Sequence, residues 1–342
     1  MLAAAAVHTA GVRIVHSAGG LLLQGALLAG LKKAKGQSEA SEMKVEVAST
    51  RKNLLGEGPH WDGRSSTLLH VDCLGRELVR YDPQLRTETE VIKLEGDVGN
   101  AIPYAEDNDL VALCMERGVY RLDLNTREKQ LLVEVQDPES TVRTRFNDGK
   151  CDALGRLWAG SMPSTGVQNL IPEKNNFWSY SKGQLRHKLD GVSISNGITW
   201  TADNRTMFYD DSVPRQIYVF DFDLAAGEIG NRRVLVDFNK TPGYQELGCP
   251  DGMTMDVNDK LWVACFEGYA VLQIDPETAK ILTKISFPNK YPTSCCFGGK
   301  NYDTLYVTSG SFRPDATKPE DGLLFKVTEL GVKGKPAYEF GG

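Results

Sequence analysis

Glu57, Asn147, Asn196 and Asp251 are spread over more than 190 residues, yet each stands just before a glycine. The glycine follows directly in Glu57-Gly58, Asn196-Gly197 and Asp251-Gly252, and after one residue in Asn147-Asp148-Gly149. Two carboxylates and two carboxamides, with no imidazole or thiolate among them, form a donor set for a hard cation. Calcium suits it first, because Ca²⁺ takes about 6–8 oxygens and tolerates irregular geometry. Magnesium or manganese can substitute, and zinc where carboxylates dominate. A dication would offset two negative charges that are costly to bury unpaired. Glycine permits positive φ and close backbone approach, as a crowded site demands. A single Asx-Gly pair is an ordinary turn; what sets these four apart is a shared register.

That register comes from a repeat. A short run of alternating β-formers recurs six times, as Thr67–Asp72, Asp109–Cys114, Arg156–Ser161, Thr206–Asp211, Lys260–Cys265 and Thr304–Ser309. From the second residue of each run to the next, the steps are 42, 47, 50, 54 and 44. Glu57 lies 11 before Leu68, Asn147 10 before Leu157, Asn196 11 before Met207 and Asp251 10 before Leu261. Turns such as Asp152-Ala-Leu-Gly155 precede nearly every run, and a further strand such as Val271–Ile274 follows each. No sustained 3.6-residue apolar period is present, which excludes a helical solenoid. Six units of this length, each with several short strands, predict an all-β chain folded as a six-bladed β-propeller. Equivalent positions on the innermost strands then converge on the central channel and make it a metal site.

The remaining composition narrows the chemistry. The 342 residues are 41% hydrophobic and 25% charged, as in an ordinary globular protein. With a net charge of −6 the chain offers no basic stripe for nucleic acid. The five histidines, His8, His16, His60, His70 and His187, form no metal-binding cluster, and none is placed to activate a serine. No G-x-S-x-G elbow or P-loop occurs. Seven cysteines, an odd number without a C-x-x-C pair, read as reduced buried thiols of a cytosolic protein, Cys295-Cys296 included.

Residues 1–42 are a different material. Positions 1–38 contain no acid but carry Arg13, Lys32, Lys33 and Lys35. Their apolar stretch, Ala18 to Leu31, is 14 residues long, short of the ~20 that span a bilayer. The segment reads as an N-terminal extension, either disordered, with Met43 as a second start, or a mitochondrial targeting sequence. The expected location is cytoplasmic, or mitochondrial if the extension is a presequence. Residues 43–342 carry 35 basic and 43 acidic side chains, a net charge of −8, and form the propeller.

The same residues carry a family resemblance. Arg145-Phe-Asn-Asp-Gly-Lys150, Ile194-Ser-Asn-Gly197, Pro250-Asp-Gly-Met253 and Lys260-Leu-Trp-Val-Ala-Cys265 resemble the senescence marker protein/regucalcin/gluconolactonase family. The run Thr293–Tyr302 and the ending Leu330–Gly334 are similar to animal members, and Gly56-Glu-Gly-Pro-His-Trp61 to insect members. The likeness spans residues 50–342 and leaves the N-terminal segment out. It implies a six-bladed propeller with one divalent metal held by Glu57, Asn196 and Asp251, and a sugar lactone contacted by Arg145 and Asn147. Vertebrate members place an acid where this chain has Ser164 or Thr165, so a vertebrate-like sugar preference is not implied.

The expected activity is that of a divalent-metal-dependent hydrolase, a gluconolactonase-like enzyme opening sugar lactones, with calcium-binding capacity. The metal would polarise the lactone carbonyl, and Asp251 would take a proton from the attacking water, with a metal-bound hydroxide as the alternative nucleophile. Arg145 would hold substrate hydroxyls unless it is spent in a salt bridge on the blade rim. Asp148 would accept backbone hydrogen bonds in its turn. Two other readings remain open: a non-catalytic calcium-binding regulatory protein, and a hydrolase like the family's luciferin-regenerating branch acting on another small substrate. The expected partner is the small-molecule substrate, with no nucleic acid or membrane span, and the expected state is a monomer or weak dimer.

Overall fold

The computed structural model describes residues 43–135, 143–166 and 170–342. The N-terminal extension expected over residues 1–42 lies outside the described residues. The described residues form six antiparallel four-stranded sheets. Their first strands are Gly56–Asp62, Val98–Pro103, Thr144–Cys151, Ser195–Trp200, Cys249–Met255 and Pro292–Gly298. The six recurrent runs read from the sequence fall on the second strand of each sheet, and the strand after each run is the third. The period therefore counts blades, and the fold is the expected six-bladed β-propeller.

The ring closes through the sixth blade. Its first three strands, Pro292–Gly298, Thr304–Ser309 and Leu324–Thr328, are completed on the outside by Lys44–Ser49 from the other end of the propeller sequence. Val45 pairs with Val327 and Val47 with Phe325 in that seam. A blade has two apolar faces, and only a closed ring covers both. Six buried apolar clusters occur, each spanning the interface of two neighbouring blades. One joins blades one and six through Trp61, Leu68, Tyr81, Cys296, Tyr306 and Leu324. Another joins blades four and five through residues such as Phe208, Ile217, Leu261 and Leu272. Each Val, Leu, Ile or Phe so buried contributes about 1.5–3 kcal/mol relative to exposure, which offsets the entropy of ordering so many short strands.

The turns between first and second strands have a common device. The Oδ1 atoms of Asp62, Asp152 and Asp256 accept the backbone N–H two residues on, at 3.0, 3.0 and 2.8 Å. Asp152 and Asp256 also accept the indole N–H of Trp158 and Trp262, at 2.8 and 3.0 Å. Each carboxylate fixes its turn and ties it to the strand that follows. All seven cysteines are free thiols, and all but Cys249 are buried. Among the described residues no helix is long and apolar enough to cross a membrane.

Candidate metal centre and substrate cavity

Each site residue read from the sequence sits on an innermost strand, at or beside a break in its pairing. Register shifts fall between Glu57 and His60, Phe146 and Gly149, Ser195 and Ile198, and Pro250 and Met253. Asn147, Asn196 and Asp251 are unpaired residues of these bulges, whereas Glu57 pairs with Val71 at the edge of its bulge and Arg145 pairs with Met162 just before its own. A bulge leaves its residue out of the ladder and re-aims the side chain, and here four of them turn toward the axis. Gly197 shows why glycine follows: a Cβ there would lie 2.6 Å from the Asp251 carbonyl oxygen and 2.7 Å from Asp210 Oδ2.

Glu57, Arg145, Asn147, Asn196 and Asp251 line one cavity of about 290 Å³. They come from blades one, three, four and five. Asn147 Nδ2 donates to Asn196 Oδ1 at 2.9 Å and to the Ser195 carbonyl at 2.8 Å, so blades three and four are joined at the site. Asn196 Nδ2 donates to Ser212 Oγ at 2.7 Å, and Ser212 donates in turn to the Pro250 carbonyl at 2.7 Å, which ties in blade five. Arg145 is buried and forms no rim salt bridge; its guanidinium donates to Asn147 Oδ1 at 3.1 Å and to the Phe146 carbonyl at 2.8 Å. Asp148 accepts the Gly149 N–H at 2.8 Å in its turn.

The electrostatics are those of a site short of positive charge. Burial, then Asp251 and Asp148, push the Glu57 carboxyl well above the usual range, against a weaker pull from Arg145. Burial, then Asp210 and Asp148, do the same to Asp251. Two such acids cannot both ionise without a counter-charge. A divalent cation would supply that counter-charge, and the donors are the hard oxygens it prefers, so the residues present fit the group. Among the described residues no three His, Cys, Asp or Glu side chains cluster to hold a metal. The set here contains two acids, and carboxamides complete it.

Several residues of the site carry little or no signal in the sequence. Asn100 stands 10 before Leu110, in the same register as Asn147 and Asp251, but Ala101 rather than glycine follows it. It is buried, and its Nδ2 supports the Asn147 carbonyl at 3.0 Å. Asp210 is fully buried behind the site, and burial, then Asp148 and Asp211, push its carboxyl well up against a weaker pull from the Gly197 backbone N–H. Its sequence signal is slight, an acid next to Asp211 at the end of the run Thr206–Asp211. Ser164 and Thr165, at the position of the missing family acid, do not line the cavity, whereas Met162 does. Phe266, Phe312 and Arg313 close its upper side from a strand end and a loop, outside the repeat register.

Comparison with known proteins agrees with the fold. Residues 55–311 match the family described as SMP-30/Gluconolactonase/LRE-like region. Regucalcin of Danio rerio is 37% identical over 312 residues, covering 88% of this chain and 100% of that protein. The structure of a luciferin-regenerating enzyme aligns with a TM-score of 0.81 at 30% identity, over 88% of this chain and 100% of that one. A calcium-binding regucalcin from Agrobacterium tumefaciens aligns with a TM-score of 0.76 over 86% of this chain and 96% of its own, at 24% identity, and shows the shared fold.

Proposed function

The chain belongs to the SMP-30/gluconolactonase/LRE-like family, and from that membership and the donors of its cavity we propose that it is a divalent-metal-dependent hydrolase that opens lactones. The gluconolactonase of the family description supports a cyclic ester as the substrate class. The calcium-binding relative supports calcium as the ion. The catalytic unit is the propeller of residues 43–342. The observation that carries the reading is the arrangement of Glu57, Asn196 and Asp251 on three bulged strands around one cavity, two of them acids raised by burial and by neighbouring acids.

Glu57, Asn196 and Asp251 would hold the ion, with Asn147 beside them. Bound there, a divalent cation supplies Lewis-acid polarisation of the lactone carbonyl and stabilises the negative charge that develops on its oxygen. Arg145 is buried at the cavity floor and positioned to donate to the ring oxygen or a neighbouring substrate oxygen. Asp251 takes a proton from water as the water oxygen bonds to the carbonyl carbon. The ring C–O bond then breaks, and that proton passes to the departing alkoxide, giving the hydroxy acid. The Asn147–Asn196 hydrogen bond holds both carboxamides in place during this sequence.

The test uses full-length protein stripped with chelator and reloaded with Ca²⁺, Mn²⁺, Mg²⁺ or Zn²⁺ against a panel of lactones. Turnover is expected only with metal, and Asp251→Ala is expected to lose metal binding and at least about 10³-fold in kcat/KM, the scale of a lost metal-centred electrostatic term. If no lactone opens with any of the four ions, the activity is wrong. If Asp251→Ala still binds metal and turns over, the assigned site is wrong.

A further inference from the structure

The cavity above the candidate cation has two unlike halves. Its floor is polar: the two acids, the two carboxamides and Arg145. Its upper walls are apolar. Phe266, the last residue of Leu261–Phe266, and Phe312, in the loop after Thr304–Ser309, stack with ring centroids 6.2 Å apart and planes 23° from parallel. The Arg313 guanidinium lies over both rings, at 5.6 and 5.1 Å. Met162, Ile194 and Val213 also line the cavity. Phe312 keeps 37% of its surface exposed beside these contacts.

An aldonolactone carries a hydroxyl on almost every carbon. Each loses water on entry and must find a partner, or the desolvation is left uncompensated. Above the floor the polar side chains are few, Ser212, Glu267 and Arg313, the last with a buried Nε that has no partner. Ser212 is already spent on Asn196 and Pro250. Glu267 faces Arg313 at 3.8 Å, and neither Ser164 nor Thr165 reaches the cavity. The same walls favour a ligand with an apolar body, and a flat ring can lie offset on the phenylalanine pair beside the guanidinium.

We infer that the substrates are lactones with an aromatic or alkyl body rather than polyhydroxylated sugar lactones, the apolar part resting on Phe266 and Phe312 while the ester faces Arg145 and the metal ligands. This rests on the lactonase reading and specifies its substrate. Phe312 is a substrate-binding residue that determines specificity.

The experiment compares dihydrocoumarin with D-glucono-δ-lactone on the metal-loaded full chain. A preference of at least about tenfold in kcat/KM for dihydrocoumarin is expected. Phe312→Ala, at a half-exposed position that leaves folding intact, should lower that value by about tenfold, mainly through KM, the scale of one lost aromatic contact. The loss on gluconolactone should be smaller. Equal or better turnover of the sugar lactone, or an equal loss on both substrates, overturns the inference. A second arm measures calorimetric binding of the two corresponding lactams, which are not hydrolysed. Binding of the aromatic lactam that needs Phe312, with no lactone opened, overturns the lactonase reading while leaving the preference of the cavity for an apolar body in place. If the sugar lactam binds as well as the aromatic one, the inference fails whatever the turnover.

Discussion

The two ends of the innermost strands are built on opposite principles. At the starting end, bulges place Glu57, Arg145, Asn147, Asn196 and Asp251 around an open cavity and leave acids facing acids. At the far end, residues 334–342 run across the ring and touch every blade. Gly334 donates to the Tyr302 carbonyl of blade six and bridges to Asp256 of blade five. Lys335 reaches the Trp200 carbonyl of blade four, and Glu339 pairs with Arg64 of blade one. Phe340 bonds through its backbone to Pro103 and Ala105 of blade two, while Gly341 and Gly342 bond to Gly155 and Lys182 of blade three. One end leaves electrostatic demand unmet and the other satisfies the backbone and fills space. Stability and chemistry are thus separated along one axis, by the length of a six- to eight-residue strand. Substitutions at the two ends should differ in the sign of their effect on stability.

The largest stability effect is expected at the far end. Phe340 is fully buried, edge-on to Tyr104 at 4.8 Å and stacked with Tyr180 at 6.1 Å. Phe340→Ala should lower unfolding free energy by about 3–5 kcal/mol, the usual cost of emptying a buried aromatic site. Urea titration of the two proteins reads this, and lactone turnover per folded molecule should stay within twofold. A fall in kcat without a fall in stability would show that the far end governs the cavity and would break the comparison.

A smaller effect should appear on a single strand. His60 lies three residues beyond Glu57 on Gly56–Asp62, is buried, and has no partner on Nε2. Burial lowers it to about 4, with Lys150 and Arg64 adding to the shift and Asp62 opposing it. Unfolded, the imidazole takes its proton near pH 6.5; folded, it resists until about pH 4. In that window the unfolded chain binds more protons, so stability is lost as pH falls, by up to roughly 3 kcal/mol for this group. His60→Gln should flatten the fall in Tm between pH 6.5 and 4 relative to the parent protein. An unchanged slope would mean that the histidine is solvated or charged in the fold.

One end of the axis is legible in the sequence and the other is not. The starting end is readable because the repeat sets a register, and oxygen side chains before glycine at one step of it must meet at the axis once the ring closes. Asn100 has the right spacing but breaks the glycine half of that rule, so spacing alone does not single it out. Phe312 and Arg313 lie in an irregular loop where no period operates, so their place over the cavity follows only from closure of the ring. The far end leaves no signal because Lys335-Pro-Ala-Tyr-Glu-Phe340 has no strand or helix period. Its contacts are largely backbone bonds, which residue type does not announce.

The last and smallest effect is the one that most sharply separates the ends, because its sign is reversed. Without metal, burial and the neighbouring Asp210 and Asp148 hold the Asp251 carboxyl well above its ordinary value. An acid whose folded value is raised keeps a proton that the unfolded chain has released, so its contribution becomes more destabilising as pH rises. Asp251→Asn removes that demand while keeping shape and the capacity to bond. At pH 8 in chelator, the variant should therefore be more stable than the parent. Excess calcium should reverse the order. The parent gains about 2.7 kcal/mol at a hundredfold excess over Kd, and the variant, short of a ligand, gains little. Paired thermal melts with and without calcium read both signs. A variant less stable than the parent in chelator would mean that the mouth acids are already compensated within the protein, and the contrast between an unmet and a satisfied end would fall with it.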